Sequence, residues 1–190
     1  MPKNLAFTLI EILLVVGITL AVTGLVAPGF SRYLRNQFVK QAQRQIKSDL
    51  SLAQSRAFAS DRSIGADGEI DPIMPTAYWG VKFLDGGSTY ETFTSADAGD
   101  FVCNTTVQRT AQGNSTLPSR VQIRLPSSSR ACVFFSLRNG DAYSYGLNDC
   151  PAPVTGKCVF VSYESGNDCR FISVNQNGLI VAGAEPESCP

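Results

Sequence analysis

Residues Phe7 to Pro28 read FTLIEILLVVGITLAVTGLVAP, an apolar run carrying a single acid, Glu11. From Phe7 to Ala27 a helix rising about 1.5 Å per residue would cover most of a roughly 30 Å hydrocarbon core, so the run predicts a membrane-spanning helix. A secretory signal peptide is the competing reading. Its apolar region is only about 7 to 15 residues, and no A-x-A-like cleavage site follows the run here. A carboxylate inside a span costs at least ~2.5 kcal/mol on insertion scales and therefore marks a functional position that needs a partner.

The residues in front of the run narrow the reading. MPKNLA is a short polar leader with Lys3, ending in the small Ala6 and followed directly by Phe7-Thr8-Leu9-Ile10-Glu11. This pattern resembles the type III signal of type IV prepilins and type II secretion pseudopilins. The resemblance implies that prepilin peptidase cuts between Ala6 and Phe7 and that the new Phe7 amine is methylated. Glu11 falls on the family's acid near the processed N-terminus, Pro28 on its helix-breaking proline, and Tyr33 on a position often aromatic. Ala6 keeps a small side chain where the family more often has Gly. A chain starting at Phe7 has its amine four residues before Glu11, on the same helical face. Pairing of that amine with the carboxylate, within one copy or between copies, offsets desolvation; between copies it also sets the axial register, the better-attested use of buried polar groups.

The same resemblance implies a structural subunit of a type IV pilus or a type II secretion pseudopilus, polymerised through its N-terminal helix. Its partners would be other pilin or pseudopilin subunits, prepilin peptidase and the inner-membrane assembly platform. It would be stored as a single-pass inner (cytoplasmic) membrane protein with an exported head, then assembled into a periplasmic or extracellular filament.

Charge and cysteines bear on the same question. Formal net charge is zero, so no strong overall field argues for nucleic acid or an anionic surface. Its distribution is uneven: Arg32 to Arg62 holds seven basic residues against Asp49 and Asp61, whereas from Ile64 onward eight basic residues face thirteen acids. A basic stem and an acidic head favour copies stacked with a stagger, although a solvated helix face gives the same pattern. The six cysteines, Cys103, Cys132, Cys150, Cys158, Cys169 and Cys189, all follow the apolar run. Their even number predicts disulfides in an oxidising compartment. Six cysteines allow fifteen pairings; proximity favours Cys150 with Cys158, Cys169 with Cys189 would tie down the C-terminal tail, and Cys103 with Cys132 is the remainder. The positive-inside rule points the other way, since Arg32, Arg35 and Lys40 outnumber Lys3 across the run. The cysteines and the leader outweigh it.

The chain holds no histidine, and its cysteine spacing contains no C-x-x-C, so neither a zinc site nor a cofactor is expected. Neither a G-x-S-x-G elbow nor a P-loop is present, and the chain is not expected to be an enzyme. Asp67, Glu69 and Asp71 cluster without matching the calcium-loop pattern and are read as a solvated loop.

Beyond Pro28-Gly29, where the helix should be interrupted, Leu34, Phe38, Ala42, Ile46, Leu50, Ala53 and Ala57 recur at helical spacing opposite a polar, basic face. The helix should fade near Ser60 and Asp61. Short strands are predicted at Tyr78–Leu84, Thr89–Thr94, Val121–Leu125, Cys132–Leu137, Ala142–Tyr145, Cys158–Tyr163, Phe171–Val174 and Leu179–Ala182. Turn signals Asp85-Gly86-Gly87, Asn139-Gly140, Ser165-Gly166-Asn167 and Asn177-Gly178 separate several of them. The stretches 95–119 and 148–156 read as polar loops suited to partner contacts.

The predicted fold is therefore α+β. A long N-terminal helix, half in the membrane and half amphipathic, packs on an antiparallel β head stapled by disulfides. The divisions are 1–6 leader, 7–28 assembly helix, 29–60 stem helix and 61–190 head. The run IKSDLSLAQSRAFAS from Ile46 to Ser60, with Tyr78-Trp79-Gly80-Val81, resembles H-type pseudopilins and FimT-type minor pilins. This implies an alternative role as a minor tip pilin binding DNA or a surface receptor. DNA binding is the less favoured of these, because the tail from Gly178 has Glu185 and Glu187 and no Lys or Arg. Arginines 109, 120, 124, 130 and 138 are interleaved with acids and read as a solvated surface.

Overall fold

The computed structural model describes residues 8–59, 77–99, 102–103, 109–164 and 168–183, with the backbone alone at 25–28 and 109–110. The chain divides into two compact units, Met1–Gln37 and Phe38–Pro190. One helix, α1 (Leu9–Phe58), contributes to both. Among the described residues ten strands follow: β1 (Tyr78–Leu84), β2 (Thr89–Ser95), β3 (Arg109–Thr116), β4 (Val121–Arg124), β5 (Arg130–Ser136), β6 (Ala142–Tyr145), β7 (Asn148–Asp149), β8 (Lys157–Tyr163), β9 (Cys169–Val174) and β10 (Ile180–Ala182). Every strand pair is antiparallel, so the class is α+β.

In the first unit, α1 keeps its helical assignment through Pro28 and Gly29, where the sequence predicts an interruption. What occurs there is a bend between Leu9–Gly24 and the helix from Gly29 onward. Proline has no N–H to give to the carbonyl four residues back, that of Gly24, so one helical hydrogen bond is missing; the outcome is a kink rather than a stop. Among the described residues no single helix is long and apolar enough to cross a membrane, while the bent pair Leu9–Gly24 and Gly29–Phe58 meets the requirement by length and composition. Leu9 to Gly24 alone would measure roughly 24 Å at ~1.5 Å per residue, short of a ~30 Å core.

In the second unit α1 buries Val39, Ala42, Ile46, Leu50, Ala53 and Ala57, residues three or four apart and so on one face. From Ala42 to Ala57 this is the predicted stripe. At its upper end Val39 is buried, whereas Phe38 is half-buried and Leu34 exposed. The helix ends at Phe58, slightly before the predicted limit.

The strands form two sheets, ordered β3-β2-β1-β5-β6 and β10-β9-β8-β4, with β7 also pairing β8. Alternate residues face the helix: Trp79, Val81 and Phe83 of β1 and Val133 and Phe135 of β5 join Ile123, Val159, Val161 and Ile172 of the second sheet in one core with the α1 stripe. The opposite faces are also covered in part. Phe93, Cys132 and Phe134 pack with Val102 and Cys103 behind the first sheet, and Cys158, Phe160 and Phe171 pack behind the second. Burial on both faces explains why β5 (RACVFFS) and β8 (KCVFVSY) read as continuous apolar runs.

Turns at Gly86, Gly140 and Gly178 take positive φ, as their signals predict; Ser165-Gly166-Asn167 lies outside the described residues. Two strands fall where loops are expected. β3 (RTAQGNST) is mostly polar and contains a bulge at Gln112, opposite the Thr92–Phe93 step of β2, and β7 is only Asn148–Asp149. Cys103–Cys132 and Cys150–Cys158 are bonded, with Cα separations of 5.7 and 5.0 Å. Cys169 is disulfide-bonded too, and Cys189, its predicted partner, lies outside the described residues.

Candidate functional site

Of the predicted processing and assembly residues, Ala6 and Phe7 lie outside the described residues, Pro28 is described by its backbone alone, and Glu11 is exposed in the first turn of α1. Thr8 precedes the helix and accepts the Glu11 N–H on its Oγ1 at 3.4 Å. Thr8-x-x-Glu11 thus has the spacing of a capping box, and a carboxylate there also faces the positive end of the helix dipole. Glu11 thus carries a local capping position in addition to its expected place in assembly.

The other polar side chains of this stretch are turned into the helix. Thr19 donates to Val15 O and Val16 O, both at 2.9 Å, and Thr23 donates to Thr19 O at 2.7 Å. Around them Leu9, Ile10, Ile12, Leu13, Leu14, Val15, Val16, Ile18, Leu20 and Val22 are all exposed, Leu9 at 79%. The described surface from Leu9 to Gly24 is therefore apolar except at Glu11.

In the second unit α1 is fastened to both sheets by side chains. Gln43 Nε2 donates to Phe171 O at 2.7 Å and to Gly183 O at 2.6 Å, Gln45 Nε2 to Thr116 O at 2.9 Å, and Gln54 Nε2 to Gly178 O at 2.9 Å. Asp49 accepts from Tyr90 Oη at 2.5 Å and from Ser115 Oγ at 2.9 Å through one oxygen. Burial, and then Asp49, push the Tyr90 phenol well above its ordinary value of 10.0. Arg56 lies over the Trp79 ring, 4.9 Å from its centroid. On the outer face of the helix Lys40, Arg44 and Lys47 stand at i, i+4 and i+7 and form no ion pair among the described residues. These contacts join residues far apart in sequence, and no local signal announces them.

A groove of about 830 Å³ opens between β6 and the second sheet. Its walls include Asp141, Tyr143, Ser144 and Tyr145 on one side and Asp149, Thr155, Gly156 and Lys157 on the other, with Asn175 to Asn177 at one end. Part of the predicted contact loop 148–156 therefore does line a concave surface. Lys157 Nζ lies 2.9 Å from Asp149 Oδ1, and Asn139 Nδ2 donates to Asp141 Oδ2. Asn175 Oδ1 is buried without a hydrogen-bond partner. Tyr143 meets Tyr78 edge-to-face at 6.0 Å. Burial, followed by Tyr143, Asp97 and Tyr145, raises the Tyr78 phenol above its usual value.

Of the scattered arginines, Arg124 Nε donates to Ser162 Oγ at 3.3 Å, and a hydrogen bond to Tyr163 holds the Arg120 guanidinium above its usual value. Asp67, Glu69 and Asp71 lie outside the described residues; among those described, no group of three or more His, Cys, Asp or Glu is placed to hold a metal ion. Comparison with family models, with curated proteins and with solved structures finds no match.

Proposed function

We propose that this protein is a structural subunit of a type IV pilus or type II secretion pseudopilus, not an enzyme. In this reading α1 is stored in the inner membrane after cleavage between Ala6 and Phe7. It then packs beside the helices of other pilin or pseudopilin subunits, delivered by the assembly platform, while the disulfide-bonded head stays outside the cytoplasm. The observation that carries the reading is the exposed apolar surface from Leu9 to Val22 with one carboxylate, Glu11, at its start. Such a surface needs lipid or another apolar helix around it. A lone carboxylate there needs a counter-charge, which the amine of a processed neighbour supplies.

The test is Glu11→Val. Membrane insertion is expected to be unchanged, judged by fractionation, and incorporation into filaments or cross-linked oligomers is expected to be lost. Wild-type incorporation would end the proposal. Mass spectrometry of the mature N-terminus checks the processing separately, with methylated Phe7 as the expected product.

A second reading, a minor tip subunit binding DNA, draws support from the basic face of Lys40, Arg44 and Lys47. It requires gel shifts that weaken between low and high salt, since phosphate contacts release counterions.

A further inference from the structure

We propose that the groove beside β6 receives an extended polypeptide segment carrying lysine or arginine, which joins the first sheet as a further strand along the free edge of β6.

The register of the β5–β6 hairpin fixes which peptide groups face the groove. Ser136 N–H donates to Asp141 O at 3.0 Å. The pairs that exchange hydrogen bonds with β5 then alternate along the ladder to include Phe134 with Tyr143 and Cys132 with Tyr145. Ala142 and Ser144, lying between them, turn their peptide groups away from β5. Ala142 does so visibly, since its N–H donates to Gln176 O at 2.9 Å. Gln176 therefore acts as the first residue of a neighbouring strand and then leaves, because Gly178 N–H closes a turn onto Asn175 O at 2.9 Å. The next outward position, Ser144, has neither its N–H nor its C=O hydrogen-bonded among the described residues. An unpaired strand edge of this kind is a template for strand addition.

The walls select the occupant. Asp149, Thr155 and Lys157 stand opposite β6, and the groove of about 830 Å³ between them is the space such a segment would occupy. The lining has a surplus of negative charge: the Asp141 and Asp149 carboxylates against one ammonium, Lys157, already paired with Asp149. A cationic, donor-rich segment complements that surplus.

The experiment uses the full-length protein in detergent micelles, an array of random octapeptides, and hydrogen exchange at the Ser144 amide. Peptides with Lys or Arg are expected to bind and to slow that exchange roughly tenfold at saturation. Ser144→Pro removes only the outward N–H, a change that edge strands tolerate, and is expected to weaken binding about tenfold with near-ultraviolet circular dichroism unchanged. The double variant Asp141→Asn with Asp149→Asn leaves the backbone edge intact and is expected to lose the preference for Lys-bearing over Glu-bearing peptides. This variant and the wild-type exchange measurement decide the matter even if Ser144→Pro does not fold. Equal binding to folded Ser144→Pro would overturn the proposal. So would protection of Ser144 by cellotetraose and by no peptide, or protection that rises with protein concentration alone, which would put a second copy in the groove.

Discussion

Asp49 is the only acid of α1 between Phe38 and Phe58, and it is turned inward onto Tyr90 and Ser115. Because burial and this carboxylate raise the Tyr90 phenol, the folded state holds that proton more tightly than the unfolded chain. Its contribution to stability is complete below pH 10, the ordinary phenol value, and is lost as pH climbs above it. Tyr90→Phe is therefore expected to flatten the fall in urea midpoint between neutral and strongly alkaline buffer, while wild type keeps a steeper loss. Gly80 is the second sensitive position. A Cβ there would lie 2.5 Å from Phe93 Cζ, and Phe93 is fully buried, so Gly80→Ala should destabilise the second unit by about 1–3 kcal/mol in denaturant unfolding. Glu11 stood out in the sequence as an acid in an apolar run. Asp49 did not, because it lies 41 residues from Tyr90 and looks like any acid on an amphipathic helix.

Among the elements, β1 and β6 coincide with the predicted strands, and most others differ by one or two residues at their ends. These strands carry their own apolar pattern or a turn glycine. β3 does not: RTAQGNST is a strand because β2 offers it a ladder, and no alternation of side chains records that. The Cys103–Cys132 bridge, expected only as the pair left over from the other two, spans 29 residues. It ties the segment at Val102 to the middle of β5 and closes the cluster around Phe93 and Phe134. Replacing both cysteines by serine is expected to cost about 2–5 kcal/mol, read as a lower denaturant midpoint. Hydrogen exchange should rise first at Val102 and Tyr145 and last along α1.

At the scale of the whole molecule, the uneven charge has an observable counterpart in the basic face of Lys40, Arg44 and Lys47, which no acid of the described helix offsets. If copies stack head to stem, raising salt from about 0.05 to 0.5 M should weaken association measured by cross-linking, since exposed charges are screened within ~10 Å or less. An association indifferent to salt would assign assembly to the apolar segment alone. The α+β class was legible from the change of period near Tyr78, but the two-sheet arrangement was not, because strand order depends on pairings distant in sequence. The glutamine contacts carry a mechanical implication. Gln43, Gln45 and Gln54 hold α1 sideways to carbonyls distributed over both sheets. Traction along the helix axis would therefore load these bonds in shear and together, instead of peeling them one at a time. The head would behave as a clamp gripping a rod along its length, and tension would reach the β-sheets before the grip slipped.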